Sequence, residues 1–209
     1  SCKADIAAGD LVIVTMLFME DHFLPVLPAL QARREHCDAM VCAMSAGEVM
    51  KLTRMGKFDM EAPATGAMAF LKRLRGKTAN KPDEQGVKTS AGAQQMKMLR
   101  RLPKILRFIP GTAQDVRAYF VTLQYWLAGS EANVANMVQF LVDRYADGPR
   151  KALRGLAKPQ APVEYPEVGL YHPQMRQPHL PNRMSERLGD LPRVATSGQR
   201  GTVGLLLMR

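Results

Sequence analysis

The fold is decided by the stretch Leu11–Phe18, which has the sequence LVIVTMLF. It carries no charge, and a continuous apolar run rich in β-branched residues is typical of a strand covered on both faces in a parallel sheet. Asp38–Met44 predicts a second strand of the same kind. The residues between them, from Glu20 to about His36, predict a helix that Pro25 and Pro28 should distort, because proline is tolerated only near a helix start.

The segment after the second strand predicts another helix. Ser45 and Glu48 have the spacing of a capping box, and the helix should continue to about Met55 and end at Gly56. A strand, helix, strand, helix order implies a right-handed parallel crossover. We therefore predict an α/β fold, with Rossmann-like or flavodoxin-like parallel sheet layers and a helix-rich insertion.

The insertion is predicted over residues 59–155, where the pattern becomes helical. A short helix is expected at 64–75 and another at 95–109, the second interrupted by Pro103. Residues 76–94 are basic and have no apolar periodicity, which indicates a mobile loop.

A helical hairpin is the clearest feature of the insertion. Thr112 and Asp115 match a capping box, and apolar residues then recur at helical spacing as far as Leu127. Gly129 is suited to the left-handed end of this helix, and Ser130 can cap a second one. The apolar face of that second helix is formed by Val134, Met137, Val138, Leu141 and Tyr145.

The C-terminal region predicts strands joined by irregular chain. The pattern at residues 163–171 predicts a strand, and Pro166 places it at an edge or across a bulge. A Pro- and Arg-rich connector at 173–200 leads to a buried strand at 202–208. The predicted domains are an α/β unit at 1–58, whose beginning we expect to be truncated, the helical insertion at 59–155, and a region at 156–209 that ends in the first strand of a following domain.

The net charge of +10 is concentrated in two blocks. Residues 69–107 hold 11 Lys and Arg against 2 Asp and Glu, and residues 149–209 hold 10 against 4. Such blocks attract nucleic acid, anionic lipid or acidic partners. Nucleic acid is disfavoured, because the basic segments lack interleaved aromatic residues and no recognition motif is present. For the basic helix at 97–107, an anionic membrane surface and a merely solvated face both stay open.

No self-sufficient active site is predicted. The nucleotide-binding motifs GxxxxGK[ST] and GxGxxG are absent, as is the GxSxG motif that carries the nucleophilic serine of many hydrolases. Glu20, Asp21 and His22 follow the first strand, but adjacent residues on a helix diverge, so a shared metal ion is not expected. The three cysteines fit buried free thiols rather than a zinc site or a redox pair. We assign no catalytic and no metal-binding residue.

Several motifs taken together resemble one family. Tyr-Trp-Leu-x-Gly-Ser-x-x-Asn at 125–133, Glu-Val-Met-x-Leu at 48–52 with Gly56 and Phe58, and Gly-x-x-His-Pro at 169–173 occur in the order and spacing of the large porphyrin-binding H subunit of magnesium chelatase, bacteriochlorophyll branch. The closing segment 201–209 is similar to the strand that opens the cobalt-chelatase-like part of that family. The resemblance spans essentially the whole chain and identifies it as an N-terminal fragment.

The resemblance implies a function for the intact subunit. It implies binding of protoporphyrin IX and insertion of Mg²⁺, with ATP hydrolysed by partner ATPase and integrin-like subunits, and no Mg²⁺ or ATP bound by this fragment. Trp126 and His172 are the candidate porphyrin-binding residues, with an interdomain contact as the alternative for both. Porphyrin propionates are a further candidate partner for the basic blocks. The alternatives are a non-catalytic docking module for the ATPase subunits or the membrane, and a segment of the cobalt-chelatase relative of cobalamin synthesis. A cytoplasmic location is expected, with peripheral contact at the photosynthetic membrane left open.

Overall fold

The two predicted apolar strands form a parallel pair in the computed structural model. Leu11–Thr15 is strand β1 and Ala39–Ala43 is strand β2, with Leu11 opposite Ala39 and Thr15 opposite Ala43. The sheet order places β1 at an edge, so its burial alternates, whereas every residue of β2 is buried. The predicted α/β class and the parallel pairing are confirmed.

Three helices lie around this pair at the start of the chain. Cys2–Ala8 is α1, Glu20–Phe23 is α2 and Leu27–Arg34 is α3. The single helix predicted over residues 20–36 is therefore divided. Pro25 lies in the break and Pro28 in the first turn of α3, where its missing N–H costs no helical hydrogen bond.

A β-hairpin replaces the end of the predicted fourth helix. Helix α4 covers only Gly47–Met50, and the chain then forms β3 (Arg54–Met55) and β4 (Phe58–Asp59). These two strands are antiparallel, and β3 pairs antiparallel with β2, so the four-stranded sheet is mixed. The prediction of a helix to Met55 is wrong, and Gly56, with φ +57°, occupies the two-residue turn of the hairpin.

The predicted helical hairpin is present. Residues 101–106 are helical, and Thr112–Ala128 (α5) and Glu131–Tyr145 (α6) follow. Gly129 is left-handed at φ 66°, and the Ser130 hydroxyl accepts a hydrogen bond from the Asn133 amide at 3.2 Å, so both boundary predictions are confirmed. A 3₁₀ helix at Gly148–Leu153 comes next.

Neither predicted capping box forms. Helix α5 has Gly111 at its N-cap and α4 has Ala46, and neither has a side-chain capping bond. Asp115 and Ser45 are used in long-range contacts instead: the Ser45 hydroxyl accepts from the Leu17 amide at 3.1 Å and donates to the Ala43 carbonyl. Contacts between distant segments thus take the side chains that local capping would have used.

The core has two parts, one on each face of the sheet. Alternate residues of β2 face opposite ways: Ala39, Val41 and Ala43 pack with α5 and α6, and Met40 and Cys42 pack with α3 and α4. On the first face the largest buried contributors are Met55, Phe58, Leu106, Val116, Tyr119 and Leu141. On the second they are Phe23, Leu30, Val49 and Leu52. The predicted insertion therefore supplies one of the two layers that cover the sheet.

The structure describes residues 2–62, 101–164, 169–175 and 183–192. The chain divides into two units, residues 1–162 and 163–209. In the second unit Leu170–Tyr171 (β5) pairs antiparallel with Met184–Ser185 (β6), and a 3₁₀ helix covers Leu188–Asp190. The predicted helix at 64–75, loop at 76–94, start of the helix at 95–100, Pro166 and strand at 202–208 lie outside the described residues.

Candidate functional site

An open groove of about 700 Å³ lies at the amino end of the β1–β2 pair. Its position follows from the register, because Asp38 directly precedes β2 and Met55 pairs with Ala39, which brings the β3–β4 turn to the same end. The first turn of α5 and the end of α6 complete the walls. The ionisable residues of the lining are Glu35, His36, Cys37, Asp38, Arg54, Lys57, Asp115, Arg144, Tyr145, Asp147 and Arg154.

Asp38 joins the sheet to the segment after α6. Its carboxylate accepts two hydrogen bonds from Arg150, each 3.0 Å long, and one from the Asp147 amide at 2.9 Å. The bidentate pairing with Arg150 holds the pKa of Asp38 below its usual range, against the opposing effect of burial. Only 8% of this side chain is exposed. The contact is a clasp between residues 112 positions apart.

Asp115 makes a second clasp, between the β-hairpin and both long helices. It accepts hydrogen bonds from the Lys57 amide at 3.0 Å and from the Tyr145 hydroxyl at 3.0 Å, and Arg144 lies 3.5 Å away. Burial, together with the neighbouring Asp115 charge, raises the pKa of Tyr145, so that hydroxyl stays a donor. A side chain at position 56 would come within 2.8 Å of the Asp115 carboxylate, so glycine is required there.

Two arginines close the floor of the same end of the sheet. Arg34 is buried and donates to the Leu52 carbonyl at 3.2 Å, and it pairs with Asp59 and Glu35. Arg54 donates to the Arg34 and Cys37 carbonyls at 3.0 and 2.8 Å. Their guanidinium groups therefore satisfy buried backbone, which is a structural role.

The cations left at the groove surface are Lys57 and Arg154. Arg154 uses its Nε to donate to the Ala146 carbonyl at 2.6 Å, and among the described residues no carboxylate forms an ion pair with Lys57. Asp38 and Asp115 are occupied by internal contacts. Lys57 and Arg154 are therefore the groove cations that can contact a carboxylate or another anion, while Glu35 and Asp147 add negative charge to the same lining. Within the described residues the groove presents no nucleophile paired with a base.

The opposite end of the sheet has a different chemistry. Met16 and Met44 directly follow β1 and β2, and both have left-handed backbone, with φ 63° and 47°. The Met16 amide donates to the Met44 carbonyl at 3.0 Å, which ties the two loops together. Left-handed conformations are costly for residues other than glycine and tend to occur at functional sites. The carboxyl ends of parallel strands are also where ligands of α/β folds bind.

Exposed apolar residues surround these two loops. Met16 and Phe18 are each 54% exposed and Met19 is 60% exposed. Glu20, Asp21 and His22 follow in α2, with His22 Nε2 3.9 Å from an Asp21 oxygen and both side chains exposed. The expectation that these three residues do not converge on a metal ion stays a prediction. Among the described residues, no group of three His, Cys, Asp or Glu is placed to hold a metal.

The two candidate porphyrin contacts lie in separate units. Trp126, near the end of α5, is half-buried and packs against the core cluster on that face of the sheet. His172, next to β5, accepts a hydrogen bond at Nδ1 from the Gln174 amide at 3.1 Å, and its own amide donates to the Arg183 carbonyl. These contacts give Trp126 a packing role and His172 a hydrogen-bonding role in its turn, and the porphyrin-binding role of both stays a prediction.

The buried thiols are protected. Burial raises the pKa of Cys42 to about 12 and also raises the pKa of Cys37, while Cys2 is exposed. All three cysteines are free, as predicted, but the predicted burial is wrong for Cys2, which lies in the exposed helix α1. A thiol so far from ionisation at neutral pH is a poor nucleophile and a poor metal ligand.

Sequence reasoning missed the groove. Its lining residues Asp38, Asp115 and Arg154 are 39 or more positions apart, and no local pattern links them. One signal was available: Gly56-Lys57 between the apolar residues Met55 and Phe58 is a two-residue hairpin turn as well as a possible helix end.

In the part of the chain that the structure describes, no helix is both long enough and apolar enough to cross a bilayer.

Two family models match the chain. Residues 1–120 match the Domain of unknown function (DUF3479), and residues 123–209 match CobN/Magnesium Chelatase. The chain is 50% identical to the magnesium-chelatase H subunit of Cereibacter sphaeroides and 43% identical to that of Rhodobacter capsulatus, over 209 residues in each case. It is 32% identical to the chloroplastic ChlH protein of magnesium chelatase from Oryza sativa over 174 residues, 81% of this chain and 12% of that protein. The chain spans 16% of the length of the two bacterial relatives.

Proposed function

This chain belongs to the family of magnesium-chelatase H subunits, and we propose that it forms part of the subunit that binds protoporphyrin IX while Mg²⁺ is inserted. The observation that carries the proposal is the identity of 50% along all 209 residues, together with family models that cover 1–120 and 123–209. The reaction joins a metal to nitrogen and is driven by ATP hydrolysed on partner subunits. Bacteriochlorophyll synthesis is the setting that the bacterial relatives favour.

The chemistry of metal insertion limits what this chain contributes. A hard cation such as Mg²⁺ needs oxygen-rich coordination during transfer, and the two pyrrole N–H groups need bases. In the groove the Asp38 and Asp115 carboxylates are already held by Arg150, Lys57 and Tyr145. We propose that the catalytic groups lie outside these 209 residues and that the chain alone does not insert the metal.

Porphyrin contact by this chain is the finer proposal. Lys57 and Arg154 at the groove mouth are suited to a propionate, because they are cations that form no ion pair with a carboxylate among the described residues. Trp126 and His172 are retained as the proposed contacts for the macrocycle. The cytoplasm is the proposed location, with peripheral membrane contact as the alternative.

Titration with a soluble porphyrin tests the finer proposal. We expect porphyrin binding to shift the Soret band. In the Lys57→Glu/Arg154→Glu variant the affinity for porphyrin should fall at least ~10-fold, because charge-assisted contacts are lost. Lys151→Glu, an exposed cation in the 3₁₀ helix, is the matched control and should leave the titration unchanged. Quenching of Trp126, the single tryptophan, reports proximity. An unperturbed Soret band at high micromolar porphyrin would exclude direct binding by this chain.

A non-catalytic docking module is the second candidate function. The favouring observation is that the groove carboxylates Asp38 and Asp115 serve internal contacts, as do the neighbouring Arg34 and Arg54, which is expected of a scaffold more than of a reaction centre. Co-sedimentation of the chain with the ATPase subunits, and separately with anionic vesicles, tests this role. Binding to either without any porphyrin response would select docking. A cobalt-chelatase role would require the intact subunit to insert cobalt in place of Mg²⁺.

A further inference from the structure

Two exposed apolar surfaces of opposite charge occur on the first unit. The carboxyl-edge surface consists of Met16, Phe18, Met19, Glu20, Asp21 and Met44. The basic ridge consists of Arg101, Lys104, Ile105, Arg107 and Phe108. Exposed apolar clusters with a charged surround commonly mark protein contact sites.

The formal charge of the carboxyl-edge surface is entirely acidic. Residues 16–32 and 39–50 contain Glu20, Asp21 and Glu48 and no lysine or arginine. Three of the apolar members are methionines, whose flexible and polarisable side chains adapt to a partner surface. The left-handed backbone of Met16 and Met44 holds this edge in its shape at an energetic cost. An anionic membrane would be repelled here, and a basic apolar partner would be attracted.

The basic ridge has the complementary composition. Residues 101–114 contain three Lys and Arg and no Asp or Glu. Leu102 and Leu106 anchor the helical segment in the core, which leaves Ile105 45% exposed and Phe108 83% exposed on its outer side. The Gln114 side chain donates to the carbonyls of Leu106 and Arg107, and Arg117 donates to that of Pro103, so the ridge is fixed on α5.

The two surfaces lie at opposite ends of the sheet. The ridge is bonded to the first turns of α5, and Asp115 in that part of α5 contacts the β3–β4 turn at the amino end of β2. Helix α5 then runs toward the carboxyl end, where the Tyr119 hydroxyl donates to the Cys42 carbonyl. Because the two surfaces lie at opposite ends of one unit, they cannot contact each other within that unit. The ridge of one copy can, however, contact the carboxyl-edge surface of another.

We infer that the chain associates head to tail, with the basic ridge of one copy on the carboxyl-edge surface of a second copy. Ile105 and Phe108 pack on the methionines and Phe18, while Arg107 and Lys104 face Glu20 and Asp21. Such a contact joins different surfaces of the two copies, so it can add further copies until a ring closes. Because opposite charges steer it, the association weakens as salt is raised.

Two charge-reversed variants test the contact. Each variant disables one surface and keeps the other: Glu20→Lys/Asp21→Lys removes the acidic edge, and Lys104→Glu/Arg107→Glu removes the basic ridge. In sedimentation velocity at low salt, we expect the average mass of the unmodified chain to rise with concentration. Each variant alone should associate at least ~10-fold more weakly, the loss expected for like charges placed in contact. An equimolar mixture of the two should regain association into alternating copies. The unchanged ridge of one variant meets the unchanged acidic edge of the other, and the reversed ridge and reversed edge also carry opposite charges.

Matched controls distinguish this contact from non-specific hydrophobic association. Phe108→Ser should weaken association, whereas Leu156→Ser, which changes an apolar residue 75% exposed outside both surfaces, should not. Lys151→Glu is the charge control. Circular dichroism and urea unfolding establish that every variant is folded.

Three results would overturn the inference: a chain that stays monomeric to near-millimolar concentration at low salt, folded variants whose mixture stays monomeric, or association that Leu156→Ser weakens as much as Phe108→Ser. Binding of the ridge to anionic vesicles without self-association would assign it to a membrane instead and would also overturn the inference.

Discussion

The two ends of the β1–β2 pair differ in the chemistry of their side chains. At the amino end, charged side chains from four segments meet and neutralise one another, and Asp38 and Asp115 each bond to chain far away in sequence. At the carboxyl end, apolar side chains are left in solvent and two methionines adopt left-handed backbone. The stabilising polar contacts are therefore concentrated at the amino end, and the carboxyl end is available for contact.

The sharpest test of this contrast removes one aspartate from each end. Asp115→Ala should lower the free energy of unfolding by about 2–3 kcal/mol, because the Lys57 amide and the Tyr145 hydroxyl lose their acceptor. Asp21→Ala, at a carboxylate 71% exposed, should change it by about 0.5 kcal/mol or less. Urea unfolding measures both. Equal losses would mean that the two ends do not differ in this way.

The next prediction concerns the stability that Asp38 contributes and how it depends on pH. The folded-state pKa of Asp38 lies below its unfolded value of about 3.9, so the clasp contributes its full stability above that pH and loses it as pH falls through the folded pKa. Asp38→Asn should cost about 1–2 kcal/mol at neutral pH, from the weakened hydrogen bonds to Arg150. The difference between the two proteins should shrink below about pH 4. A difference that is constant from about pH 7 to about pH 2.5, measured by urea unfolding, would contradict the role of the Asp38 charge.

The smallest effect has the opposite sign and belongs to the carboxyl end. Met16→Gly and Met44→Gly should each stabilise the chain by about 0.5–1 kcal/mol, because the relief of left-handed strain exceeds the added entropy of the unfolded glycine. Leu24→Gly is the control, since Leu24 is 51% exposed, has φ −55° and gains no relief. It should lose about 0.5–1 kcal/mol. Thermal unfolding at fixed pH compares them, and three equal losses would show that no strain is stored there.

The features that could be predicted from the sequence are those that depend on residues close together in the chain. The strands at 11–18 and 38–44 and the helix boundary at Gly129 and Ser130 depend on neighbouring residues, and all were predicted to within a few positions. The resemblance to a family also came from local motifs in order. Pattern reasoning was therefore sufficient wherever the causes were local.

The failures have one physical cause. Ser45 and Asp115 fit capping boxes by spacing, but Leu17 in one case and Lys57 and Tyr145 in the other use their oxygens. The β3–β4 hairpin was missed because Gly56 suits a helix end and a tight turn equally well, and only pairing with β2 decides between them. The groove depends entirely on such long-range partners.

One consequence of the Asp115 clasp concerns how this fold can vary among relatives. The Lys57 amide and the Asp115 carboxylate are 58 positions apart in sequence and 3.0 Å apart in space, so the chain between them starts and finishes at one point. The entropic cost of bringing two positions of a chain together grows only with the logarithm of the number of residues between them. Insertions and deletions between Lys57 and Asp115 should therefore cost relatives little free energy of folding. The conditions are that the helical segment at 101–106 keeps its contacts with α5 and that the Lys57 amide still reaches Asp115.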